Sequence, residues 1–194
     1  MQIIGPISFD KVCARFRLDH PVARPHDANT NQDADDALRL ADTTFGTWST
    51  VRLSRADVRS VLLPWHLSEG GGLELVPRTG RTVGQAADLL RAREAEFTAA
   101  NPVCSAKLAR FRTSAFTSLY LTTRPVPHDH YADLPTSDGL VHLDGLHRML
   151  AWELAGRLSP REELTAYLAG DPTALARATA HDSAPYSTTG GLRP

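Results

Sequence analysis

An α/β (α+β) fold is what this sequence predicts: a small mixed sheet with several surrounding helices. Three observations carry that expectation. Apolar residues recur at helical spacing in several windows. Short apolar runs, such as residues 118–123 and 140–143, are cut off by proline or glycine, as strands are. Hydroxyl and amide side chains stand where the helical windows begin, and glycine or proline where they end.

Taken in order, residues 1–7 read as a short strand interrupted at Gly5-Pro6. Phe9, Val12, Cys13 and Phe16 mark one face of a helix, with Ser8 as its N-cap. Residues 20–33 read as a polar, proline-broken loop. Ala34, Ala37, Leu38 and Ala41 mark a second helix ending before Gly46, and 47–53 a strand. Ser54 with Asp57 opens a third helix, which Pro64 stops. The glycine-rich stretch from His66 turns into a short strand at Leu73–Val76 and lacks the Lys-Ser ending of a P-loop. Thr82 with Gln85 is a capping box for the longest helix, Val83 to Ala100, and Asn101-Pro102 opens another, to Arg112. Strands at 118–123 and 140–143 flank a loop over 125–139. A helix from Gly145 to Ala155 follows, closed by Gly156. Ser159, Pro160, Arg161 and Glu162 read as a capping signature for a helix closing at Gly170, and Asp171-Pro172 starts a last one. One globular domain over 1–180 is expected: an N-terminal extension (1–80) packed on a core (80–158), then C-terminal helices (159–180). Residues 181–194 read as a disordered tail.

The bulk properties exclude several classes. No apolar run approaches the roughly 20 residues needed to cross a bilayer. Met1–Pro6 shows no secretory signal, so a cytoplasmic location is expected. A net charge of −1 argues against a general nucleic-acid binder. Only Lys11 and Lys107 are lysines among 21 basic side chains, and alanine and proline are plentiful. That is the composition of a GC-rich genome such as an actinomycete's, where a role in specialised metabolism is conceivable. Cys13 and Cys104 sit far apart in helical apolar patterns, with no zinc-type Cys-His spacing, and read as free buried thiols. Trp48, Trp65 and Trp152 read as core or cleft wall.

The most informative stretch is "LVHLDGLHRMLAWELAG", residues 140–156, where a strand meets a helix. Asp144 is placed to cap that helix, accepting from the Leu146 or His147 amide. Leu146, Met149, Leu150 and Leu154 form its buried stripe. Gly145 leaves room for close approach, the first-turn amides and helix dipole favour an anion, and Arg148 offers a fork matched to phosphate. Asp144 through Arg148 thus read as a phosphate cradle, against the plainer reading of a capped helix with solvated His147 and Arg148.

The run "DGLHR" between strand and helix resembles the nucleotide-binding signature of the ParB/sulfiredoxin-like superfamily, and the element order over 80–156 is similar to its core. The resemblance implies that the core belongs to that fold, with an extra N-terminal helical segment. It implies phosphate contacts from Gly145, Leu146 (through its backbone), His147 and Arg148, with ATP or ADP and Mg²⁺ as cofactor. The ion would sit on Asp144 or Asp138. The sulfinic acid reductases of the superfamily carry a cysteine where this chain has Leu146, and its partition proteins carry a DNA-binding domain after the motif. The expectation that follows is a phosphotransferase acting on a small-molecule substrate. His147 would donate to the transferring group, and Glu69 or Asp144 would act as base.

Two further readings stay open. His142 and Asp144 alternate along the strand, so both could ligate one Fe²⁺ or Zn²⁺ ion, with His147 or His130 completing a two-His-one-carboxylate site. Or the corner holds an anion only structurally, in a regulatory or partner protein.

Overall fold

The computed structural model describes residues 1–20, 30–68, 70–159, 161 and 163–175. Glu69, the expected tail from His181 and most of the last helix lie outside them. Along the chain run β1 (Gln2–Ile7), α1 (Phe9–Asp19), α2 (Thr30–Phe45), β2 (Trp48–Leu53), α3 (Arg55–Ser60) and β3 (Leu62–Leu63). Next come β4 (His66–Leu67), β5 (Glu74–Val76), β6 (Arg81–Thr82), α4 (Val83–Ala92), α5 (Glu94–Ala100) and α6 (Pro102–Phe111). β7 (Leu119–Thr122), a single 3₁₀ turn (Asp129–Tyr131), β8 (Val141–Asp144), α7 (Leu146–Leu154) and β9 (Leu164–Ala169) complete the order.

The fold is mixed α/β, as expected. Its seven-stranded sheet runs β1-β2-β9-β7-β8-β3-β6, and β4 pairs with β5 as a separate ribbon. β7 with β9, and β3 with β8, are parallel; the other neighbours are antiparallel. Three of the sheet's strands, β1, β2 and β3, come from the first eighty residues. Helices cover both faces. On one, Val12 and Phe16 of α1 and Leu38 and Ala41 of α2 pack on Tyr120, Val141 and Leu143. On the other, Val58, Ala87, Leu108, Met149 and Trp152 from α3, α4, α6 and α7 pack on Val51, Leu119, Leu121 and Leu168.

The capping boxes formed as the sequence implied. Ser54 and Thr82 each accept from the amide three residues on, and Asp57 and Gln85 reach back to the cap. Several expectations are corrected. The helix expected to run from Ser54 until Pro64 ends at Ser60 and gives way to β3, and the stretch expected as loop over 20–33 is already helix α2 from Thr30. Ser8 stands before α1 in extended backbone without a side-chain cap bond. The helix expected over 83–100 is two helices, broken at Arg93 (φ −129°, ψ 30°). The helix expected to close at Gly170 is a strand, β9. There Leu164, Ala166 and Leu168 are buried while Thr165 and Tyr167 are half-buried, a period-two pattern. Partners on both sides, β2 and β7, satisfy its backbone, and those ladders outweigh the capping signature at Ser159.

Candidate functional site

β8 delivers the chain to α7 at the corner marked by the sequence. Gly145, not Asp144, is the N-cap of α7, and it takes a left-handed backbone (φ 114°). A Cβ there would meet Leu119 Cδ2 at 2.7 Å, so glycine is required both by its backbone and by the packing. The Leu146 amide donates to His142 Nε2 at 3.0 Å, filling the capping role expected of Asp144.

Asp144 is engaged elsewhere. Its carboxylate accepts from Arg148, one helical turn on, and pairs with His20 Nε2 at 3.0 Å. Arg148 is buried and turned inward, donating also to Thr117 Oγ1 and to the Ser118 carbonyl. Burial pushes the Asp144 carboxyl up, but Arg148 and His20 outweigh it and hold the group well below the ordinary range. His20 stacks on Phe16 at 4.1 Å and bonds the Phe16 carbonyl through Nδ1, which fixes its ring. The guanidinium expected to face phosphate is therefore met by an internal carboxylate. A phosphate at this corner would have to displace Asp144.

His147 points to a different neighbourhood. Its Nε2 lies 3.0 Å from Cys104 Sγ, and His66 Nε2 lies 3.8 Å from the same sulfur. The three ligand atoms fall within 4.8 Å of one another. Cys104 is in the first turn of α6, His147 in the first turn of α7 and His66 in β4. Cys104 is buried, and both imidazoles are half-buried.

Asn101 holds this convergence together. Fully buried at the start of α6, it accepts from the Leu73 amide and donates to the Leu73 carbonyl. The Gly72 amide adds a bond to the Ala100 carbonyl. The loop between β4 and β5 is thus fastened to the helix that carries Cys104, which fixes His66 relative to it. An N-cap residue ordinarily serves its own helix; here the amide is used across the chain.

All three groups favour their uncharged forms. Burial pushes His66 down to about 4 and His147 well below its ordinary value, while it pushes the Cys104 thiol up to about 12. The two helix N-termini further disfavour an imidazolium and favour an anion. His142 is likewise pushed down to about 4, chiefly by burial. It takes no place in the trio, because its Nε2 is occupied by the Leu146 amide. The expected His142–Asp144 pair is thus divided: one member caps a helix and the other sits in an ion pair. His130 packs against Trp65 and His128.

Of the residues marked by sequence, the structure brings His147 into this trio, with His66 and Cys104 as its partners. Neither partner could be found by spacing, since Cys104 lies 38 residues from His66 and 43 from His147. Among the described residues this is the one group of three or more His, Cys, Asp or Glu placed to hold a metal ion, and no helix is long and apolar enough to cross a membrane.

The model of a family of unknown function, DUF6309, matches residues 1–187. No curated protein and no solved structure matches the chain.

Proposed function

The chain belongs to the DUF6309 family, whose function is unknown, and from the geometry alone we propose that it is a metal-dependent enzyme holding zinc on His66, Cys104 and His147. One observation carries this reading: a thiol and two imidazoles from three separate elements converge within 4.8 Å. A tetrahedral zinc with bonds of about 2.3 Å to sulfur and about 2.0 Å to nitrogen sets sulfur-to-nitrogen separations of about 3.5 Å. The two separations here, 3.0 and 3.8 Å, bracket that value. One soft thiolate with two imidazoles suits zinc, whereas the carboxylate-rich sets of Mg²⁺ do not resemble it.

Three protein ligands leave a fourth tetrahedral position for water or a substrate oxygen, which is the pattern of catalytic rather than structural zinc. The reaction class that follows is metal-assisted hydrolysis of a small molecule. The short Cys104–His147 distance would also suit a thiol nucleophile and its base, but a thiol this buried is poorly reached by a substrate.

Elemental analysis of the untagged full chain tests the reading. About one zinc per chain is expected, lost in Cys104→Ala and His147→Ala while circular dichroism stays native. Zinc content unaltered by those substitutions, or no uptake on titration, sinks it. Thermal shift with ATP or ADP and Mg²⁺ addresses the nucleotide expectation on the same sample; a rise abolished in Arg148→Lys would favour a phosphate at the Asp144 corner instead.

A further inference from the structure

Lys107 lies three residues beyond Cys104 on α6, and residues at that spacing share a helix face. It is half-buried and has no ion pair or hydrogen bond among the described residues. Arginines of α3, α4 and α7 are differently placed: Arg55, Arg59 and Arg91 all bond Glu153, and Arg148 bonds Asp144. Lys107 acts instead on the trio, disfavouring charge on His66 and His147 and favouring the Cys104 thiolate.

A second group beside the trio also lacks a partner. With His142 Nε2 accepting the Leu146 amide, the ring proton must sit on Nδ1. That Nδ1 is buried and has no hydrogen-bond partner. His142 lies close enough to the trio that His66 disfavours charge on it and it disfavours charge on His147. An unsatisfied buried donor costs roughly 1–3 kcal/mol unless an acceptor arrives. A divalent ion on one thiolate and two neutral imidazoles keeps a single positive charge, and Lys107 adds another. An unpaired cation, a donor without an acceptor and a positive centre all call for the same complement.

Resting on the metal reading above, we infer that the substrate of this site carries an oxyanion, a carboxylate or phosphate, with one oxygen on the open metal position and its charge balanced by Lys107. The arrangement favours anionic over neutral substrates, because a neutral one leaves two positive charges uncompensated.

The test uses the full chain loaded with Co²⁺, whose visible absorption reports the fourth ligand position. Acetate, inorganic phosphate and neutral imidazole are titrated into wild type and Lys107→Gln at equal metal content. Both anions are expected to alter the wild-type spectrum, and the tighter of them names the headgroup class. In Lys107→Gln anion binding should weaken about tenfold, the loss of one charge-assisted contact, while imidazole binding is unchanged. Equal anion affinity in the two proteins, or equal weakening of imidazole, overturns the inference and leaves the metal reading standing. Failure to load Co²⁺ or Zn²⁺ overturns both.

Discussion

Two buried polar clusters flank the first turn of α7, and they handle charge in opposite ways. In one, Arg148, Asp144 and His20 satisfy one another, with Thr117 and Ser118 taking the remaining guanidinium contacts. In the other, His66, Cys104 and His147 hold only neutral groups beside an unpaired lysine. The first is closed by its own ion pairs; the second contains no ion pair, and its members contact one another as neutral groups. Residues adjacent in sequence, His147 and Arg148, thus belong to unlike chemistries because successive helical positions point about 100° apart.

The largest effect expected is in the closed cluster. Arg148→Ala leaves Asp144 charged and half-buried without its main partner, which should cost about 3–5 kcal/mol in urea unfolding. A loss below about 1 kcal/mol would show that the cluster is not the closed unit described. Next, Gly145→Ala forces a side chain into left-handed backbone and against Leu119, and should cost about 1–3 kcal/mol. Equal stability would mean that the corner relaxes freely.

Acid titration separates the two behaviours further. His66 and His142 are neutral in the folded protein down to about pH 4, against 6.5 when unfolded. The unfolded chain therefore binds more protons below pH 6.5, and stability of the metal-free protein should fall as pH drops from about 6.5 to 4. Glu153 behaves at lower pH. Hydrogen bonds from Arg55, and then from Arg91 and Arg59, hold it at about 2, so its contribution is present above about 4.5 and is lost as pH falls to 2. His66→Ala should flatten the upper window of a pH-dependent melting series and Glu153→Gln the lower one. A His66→Ala profile identical to wild type would contradict the neutral, buried state of the trio.

The subtlest measurement is a proton count. With His66 and His147 already neutral and Cys104 still a thiol at pH 7, zinc uptake should release about one proton. Calorimetry in buffers of different ionisation enthalpy reads this directly. Release near zero or near two would place the open cluster in another protonation state.

The elements were largely legible from sequence because they rest on local chemistry. Ser54 with Asp57, and Thr82 with Gln85, announce helices through bonds spanning three residues. β9 was not legible: Ser159 to Glu162 suggests a helix, and only the neighbouring strands make the Leu164–Ala169 alternation decisive. The strand-to-helix corner was visible as a functional candidate, but the directions of its side chains were not. Asp144 and Arg148 read as ligands for something external, yet His20, brought over by α1, helps make them partners of each other. Cys104 read as a free buried thiol, as it is, but its imidazole neighbours went unseen because they are distant in the chain.

The Asn101 bridge gives the pair His66 and Cys104 a fixed bite. Since the carboxamide grips main-chain atoms of Leu73, side-chain drift at position 73 leaves that gauge untouched. An aspartate at 101 would keep the shape and the acceptor but lose the donating half of the grip, letting the ribbon swing while the helix stays wound. On the zinc reading proposed above, selectivity among ions of unlike radius would then depend on a residue that is not itself a ligand.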